Sequence, residues 1–466
     1  MYRHAVAVGP TDNGRVVAPS HFARERGVPA LVAPWKCRML ESIHLEGVGP
    51  AETMDLAFGP RLNLLTGDNG LGKTFALDIA WWALTRSWAG QPAAPRPGAI
   101  SPTINYHAAG TVAAGGTGFH GVYKRSTQSW SNDWSNPLPS LGIYARIDGG
   151  FSIWDPARNY WPPRGDLGAP AEWDAPAAFN FTPSDVWNGL APPGGRVLSN
   201  GLLRDWITWQ FQKPELFATL TEVLAALSPH EDEILRPGKP VRSSLLDARD
   251  EPTLELAYGA VPLSLASAGM RRILALAYLL VWTWSEHRSA SDILQQPPLN
   301  HLVLLIDEVE AHLHPQWQRR LLPALLDVMA KLNGAPAHPA IQIIATTHAP
   351  LILASVEPRF DPEVDRLITF VMRPEKRDVV AINEPWAKQG DAVNWLVSDV
   401  FGLKQARSRE AERAIEAAEA YMGDEKSALP PDLRTKNEID LELHRVLPGH
   451  DSFWPRWIVA HETVAP

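Results

Sequence analysis

The stretch Leu62-Asn63-Leu64-Leu65-Thr66-Gly67-Asp68-Asn69-Gly70-Leu71-Gly72-Lys73-Thr74, followed by FALDIAWWALTRSW over 75–88, decides the fold. Its LNLLT run reads as a buried strand, and 75–88 carries apolar residues at helical spacing. Between them GDNGLGKT matches G-x-x-x-x-G-K-[ST] in the strand, loop and helix setting that this pattern needs. The glycines let main-chain N–H groups converge on a chain of phosphates, and the helix N-terminus adds its partial positive charge. Asp68, Asn69, Gly70, Leu71, Gly72, Lys73, Thr74 and the adjoining Phe75 are therefore the candidate nucleotide-binding residues. Lys73 is expected to reach the β- and γ-phosphates, and the Thr74 hydroxyl to bind Mg2+.

Further along, HLVLLI (301–306) is an apolar strand of the buried parallel kind that ends in Asp307-Glu308. Ligands of open α/β sheets bind beyond the carboxyl ends of such strands. Two carboxylates there are costly unless a metal ion or water occupies them. The expectation is that Asp307 holds Mg2+ and that Glu308 acts as general base on an attacking water. A second strand, IQIIAT, runs into Thr347-His348 and puts a titratable group at the same end, with His348 as a γ-phosphate contact or a structural histidine. Leu265-Ala266-Ser267-Ala268-Gly269-Met270-Arg271-Arg272 precedes the apolar run Ile273 to Trp284. Ser267 suits an N-cap there, and Gly269 leaves room for a close approach.

Taken together, GDNGLGKT, SLASAGMRR, LLIDEVEAHLHP and ATTHAP resemble the ATPase heads of the ABC/SMC-like, RecF-type group. The resemblance covers roughly 40–90 and 255–375. It implies an α/β fold: an ABC-type P-loop ATPase head with a mixed-β N-terminal lobe, a parallel-sheet core, a compact insertion and a helical C-terminal tail. It also implies ATP with Mg2+ and a homodimer or higher homo-oligomer with composite sites. In such a site Ser267, Ala268 and Gly269, the signature, face the γ-phosphate held by the opposite subunit, while Lys73, Glu308 and His348 are catalytic. Glu310 through Pro315 would form the D-loop at that contact; a metal reading of the alternating Glu310, His312 and His314 is the alternative. Ala268 and Met270 stand where the transporter signature has Gly and Gln. The Q-loop glutamine is not assigned, with Gln128 and Gln210 as candidates.

The rest of the chain frames these motifs. At 466 residues, 45% apolar and 20% charged, with a mean hydropathy of -0.16, it has the composition of a globular protein with room for a large core. Its most apolar run is too short to span a bilayer and its N-terminus lacks the features of a leader, so a cytoplasmic protein without membrane attachment is expected. One cysteine, Cys37, excludes an internal disulfide. A net charge of -9 opposes a generally basic nucleic-acid surface, although DNA remains a candidate partner through a local groove.

Five segments are expected: an arm at 1–36, a lobe with the phosphate loop at 37–90, a Trp/Pro-rich insertion and helical lobe at 91–254, a lobe with signature, acidic pair and switch histidine at 255–385, and a helical segment at 386–466. Residues Ile43 to Thr66 read as two strands. The insertion and its flanks carry eleven of the 19 tryptophans between Trp81 and Trp209, read as core rather than base-stacking residues, and show no heptads. DPEVD at 361–365 reads as a solvated turn.

Heads of this kind resemble the ATPase subunits of bacterial anti-phage defence systems of the Septu type. With no HNH or TOPRIM-like pattern, the expected role is an ATPase that regulates an effector protein, a nuclease or toxin. The alternative is a RecF-like DNA-repair or chromosome-maintenance ATPase. A transporter subunit fits poorly with so long an insertion.

Overall fold

The computed structural model describes residues 39–108, 118–131, 140–159, 178–191, 195–243, 245, 248–332, 340–375 and 377–462. The expected arm at 1–36 and Cys37 lie outside these residues.

Among the described residues an eight-stranded sheet forms the centre, in the order Asp378–Glu384, Arg366–Arg373, Leu62–Gly67, Ala340–Thr346, His301–Ile306, Leu141–Ala145, Phe151–Trp154, Phe179–Phe181. The five strands from Arg366–Arg373 to Leu141–Ala145 run parallel, and antiparallel strands close both edges. The strands that carry the motifs are adjacent. Ala345 pairs with Leu64 on one side and with Ile306 on the other, so Gly67, Asp307 and His348 leave the sheet at one end.

Strand side chains alternate between the two faces. Leu64, Leu304, Ile306 and Ile343 pack against the helices Leu202–Gln212, Pro214–Ala226, Ala268–Ile293 and Pro315–Asp327. Leu65, Val303, Leu305 and Ile344 pack instead under the helix Lys73–Thr85, whose Trp81 and Trp82 are fully buried. That second core also takes in a five-stranded antiparallel sheet that begins with Leu40–Glu46 and Thr53–Ala57. Both faces of the parallel sheet are covered, and this is why its strands read as continuous apolar runs.

Three expectations change here. Residues 43–66 form three strands, because the turn at 58–61 separates Thr53–Ala57 from Leu62–Gly67 and sends them to different sheets. Residues 91–254 are distributed rather than gathered. Thr103–Ala108 and Phe119–Lys124 extend the antiparallel sheet, Leu141–Ala145 enters the parallel core beside His301–Ile306, and the helices from Pro183–Asn188 onward cover the other face. Its tryptophans Trp130, Trp154, Trp187, Trp206 and Trp209 are buried in these cores.

The turn at 361–365 is only half solvated. Asp365 is 1% exposed and accepts from Arg61 Nε at 2.9 Å and from the Leu62 N–H at 3.1 Å, so it braces the start of the phosphate-loop strand. A buried carboxylate needs such partners, and a pattern of acidic residues does not reveal them. At the C-terminal end, the helices Arg409–Met422, Lys436–Val446 and Trp454–Glu462 pack around a small core of their own that includes Ile415, Ile439, Leu443 and Trp457. Among the described residues no helix is long and apolar enough to cross a membrane.

Candidate nucleotide site at the carboxyl ends of the parallel strands

The phosphate loop leaves its strand at Gly67 and enters its helix at Gly72, both with positive φ, 125° and 95°. A Cβ on Gly67 would lie 2.3 Å from the Phe370 carbonyl oxygen, and one on Gly72 would lie 2.8 Å from Pro50, so both conformation and space demand glycine. The crest, Asp68, Asn69 and Gly70, is exposed, whereas Leu71 is buried and anchors the loop. Phe75 packs on Gly49 in the preceding turn. Lys73 is 6% exposed, and its Nζ donates to the carbonyls of Gly67 and Asp68, both at 2.8 Å, a curl that closes the loop around the amine. Burial pushes the Lys73 amine below its ordinary pKa, against the pull of Glu308, Asp68 and Asp307.

Thr74 meets the acidic pair directly. Its hydroxyl donates to Asp307 at 2.9 Å and 3.1 Å, which places a hydroxyl and a carboxylate side by side as hard oxygen donors, the chemistry Mg2+ selects. Asp307 is 1% exposed and is also fixed by the Thr346 hydroxyl at 2.7 Å. The Glu308 N–H donates to that same Thr346 oxygen at 2.7 Å. Glu308 has φ of 45°, a conformation that side-chain-bearing residues adopt at a cost and that recurs at functional sites. Its carboxylate faces outward, 3.9 Å from Nε2 of His348, and both side chains are part exposed.

The signature lies on the other side of this loop. Ser267 caps the helix Ala268–Ile293 by accepting from the Met270 N–H at 3.3 Å, and Ser267 and Ala268 are exposed. Gly269 is buried against the loop after the acidic pair, where a Cβ would come within 2.5 Å of the His312 carbonyl oxygen. One turn on, Arg272 Nη2 donates to the carbonyls of Asp307 at 2.7 Å and Glu308 at 3.0 Å. Thus the structure brings Lys73, Thr74, Asp307, Glu308 and His348 together. Among the described residues no hydrogen bond joins Ser267, Ala268 or Gly269 to the phosphate loop of the same chain.

Sequence reasoning named Arg272 and Glu310 within their motifs but not their contacts, and it missed Thr346. All three act between segments far apart in the chain, and Glu310 accepts from the His348 N–H. Asp78, one helical turn beyond Thr74, accepts from the Tyr144 hydroxyl at 3.1 Å, and burial together with the charge of Asp307 raises its pKa to about 6. The i, i+4 spacing from Thr74 was the one available signal. Among the described residues neither Q-loop candidate hydrogen-bonds the site: Gln128 is exposed in a hairpin turn with φ of 50°, and Gln210 donates to the Gly238 carbonyl at 3.0 Å. The metal reading of the loop is not supported either. Among the described residues no three His, Cys, Asp or Glu side chains gather as a ligand set, and His314 instead caps its helix by accepting from the Gln316 N–H.

A family profile described as "AAA domain, putative AbiEii toxin, Type IV TA system" matches residues 211–354, from the end of helix Leu202–Gln212 to just past His348. The chain is 30% identical over 145 residues to a Septu protein PtuA of Bacillus thuringiensis, a match over 30% of this chain and 32% of that protein. It is 32% identical over 102 residues to a Septu protein PtuA of Bacillus mycoides, over 22% of this chain and 12% of that one. The chain therefore spans about a third or less of the length of these relatives. A solved structure of the recombination mediator protein RecF is similar at 10% identity and a TM-score of 0.37, over 75% of this chain and 98% of that one.

Proposed function

We propose that this chain, an ABC/SMC-like P-loop ATPase head similar to anti-phage defence ATPases, binds ATP with Mg2+ and hydrolyses it to ADP and phosphate in a site shared by two copies. The observation that carries the reading is the convergence of Lys73, Thr74, Asp307, Glu308 and His348 at one sheet end, with the signature serine exposed at the cap of its helix and, among the described residues, not hydrogen-bonded to its own loop.

The chemistry follows from the positions. Lys73 exchanges two carbonyl oxygens for phosphate oxygens, a trade favoured by its desolvation. Thr74 and Asp307 would hold Mg2+, which would supply neutralisation of phosphate charge. Asp307 is already oriented for that role by the Thr346 and Thr74 hydroxyls, which both donate to it. Glu308, part exposed beside His348, takes the proton of the attacking water, and His348, 3.9 Å from it, would contact the terminal phosphate. The exposed Ser267 and Ala268 complete the site of a second copy. Their helix returns the signal to its own acidic pair through Arg272.

ATP in such an arrangement is a switch, and the role that best suits it is control of an effector protein, a nuclease or toxin. The similarity to Septu proteins supports this role. Phosphate release and nucleotide binding by the full chain test the enzymatic part. Lys73→Ala should lose ATP binding, and Glu308→Gln should bind ATP without turnover. Variants that both match the wild type would remove the proposal.

A further inference from the structure

His348 can face Glu308 only if its main chain is held, and the segment around it has few holds of its own. The Thr347 N–H donates to the Leu65 carbonyl at 3.0 Å and the Ala349 N–H to the Thr347 hydroxyl at 3.0 Å, while Pro350 has no N–H to give. The N–H of His348 itself goes to Oε1 of Glu310, a side chain from the loop that follows the acidic pair. That loop is rigid. Val309 N–H donates to the Thr346 carbonyl at 3.1 Å, Ala311 N–H to the Glu308 carbonyl at 3.0 Å, and Leu313 N–H to the Glu310 carbonyl at 2.9 Å. Its far turn, at His312, is the backbone on which Gly269 of the signature helix rests.

A carboxylate is an expensive choice for this task. Oε2 of Glu310 is buried and has no hydrogen-bond partner among the described residues, and Asp307 and Glu308 stand nearby with the same charge. Arg272 and Lys73 both feel the Glu310 charge and offset it. A neutral acceptor would serve packing alone at less cost. An ionised one gives the stronger, charge-assisted bond that fixes a main chain.

We propose that Glu310 is the positioning residue of the switch histidine: its carboxylate clamps the His348 main chain and so sets the imidazole against Glu308, linking the loop beneath the signature to the catalytic end. The proposal rests on the hydrolysis reading above. It is tested on the full chain with saturating MgATP, using Glu310→Ala and Glu310→Gln, the latter keeping one acceptor oxygen.

For Glu310→Ala, kcat should fall on the order of 100-fold, the scale of a small misplacement of a catalytic group. KM should stay within about threefold, since ground-state binding is untouched. Glu310→Gln, which keeps an acceptor but loses the charge, should recover only part of the kcat lost in Glu310→Ala. Independently of turnover, hydrogen exchange across 347–350 should quicken most in Glu310→Ala and less in Glu310→Gln. A wild type without turnover would refute the hydrolysis reading, and the exchange comparison would still decide the clamp. Unchanged exchange in Glu310→Ala, or wild-type turnover in it when the wild type is active, or equal losses in both variants, would overturn the proposal.

Discussion

The hydroxyl of Thr346 donates to Asp307 at 2.7 Å and at the same time accepts from the main-chain N–H of Glu308 at 2.7 Å, so one side chain on the neighbouring strand fixes both halves of the acidic pair. Both interactions are lost together in Thr346→Val, which keeps the shape. The Glu308 N–H is then left without an acceptor, and stability should fall by about 1–3 kcal/mol in urea unfolding. ATP turnover should fall as well, because Asp307 and Glu308 lose their common anchor. Thr346→Ser, which retains the hydroxyl, should behave as wild type in both assays.

Two opposing terms meet at Gly269. Helix propensity favours alanine over glycine by up to about 1 kcal/mol. The new methyl, however, would sit 2.5 Å from the His312 carbonyl oxygen, a main-chain atom held by its own turn. Overpacking of that kind costs roughly 1–3 kcal/mol and should win. Glycine to alanine at 269 is therefore expected to destabilise the protein, read as a lower midpoint in chemical denaturation. A higher midpoint would show that the signature helix does not press on this loop.

Asp78 gives a pH signature. Its folded pKa of about 6 is above the ordinary 3.8, chiefly because burial disfavours the carboxylate. The sign follows: the protonated form is the one the fold prefers. Its contribution to stability is complete below about pH 4 and is lost as pH rises through about 6. Asp78→Asn should therefore gain on the wild type across that window and hold the gain above it, by about 1–3 kcal/mol after allowance for partial exposure. Paired unfolding curves at pH 4 and pH 7 measure it, and a difference that does not change with pH would contradict the assignment.

The sequence made the motif-bearing end of the sheet readable because each motif there is a local pattern of its own: glycines that set a loop, a lysine, and carboxylates closing an apolar strand. Strands His301–Ile306 and Ala340–Thr346 were readable as apolar runs, as was the stretch Ile273 to Trp284, but its helix runs on to Ile293 through polar residues that gave no such signal. What escaped depends on register between distant strands. Leu141–Ala145 looks like any short strand until it pairs with His301–Ile306, and only then do Tyr144 and Asp78 come beside Asp307. Likewise Arg272 reads as a charge after the signature, yet it is buried under the carbonyls of the acidic pair.

The central claim is that each site is shared between two copies, and complementation between two inactive variants tests it most directly. Lys73→Ala disables the phosphate loop, and Ser267→Arg blocks the exposed signature. Each alone should be inactive. When they are mixed after co-expression, a mixed dimer has one site built from an intact loop and an intact signature. For random pairing with independent sites, roughly a quarter of wild-type ATP turnover should return. Full activity of Ser267→Arg on its own, or no recovery in purified mixed dimers, would contradict a site made by two chains.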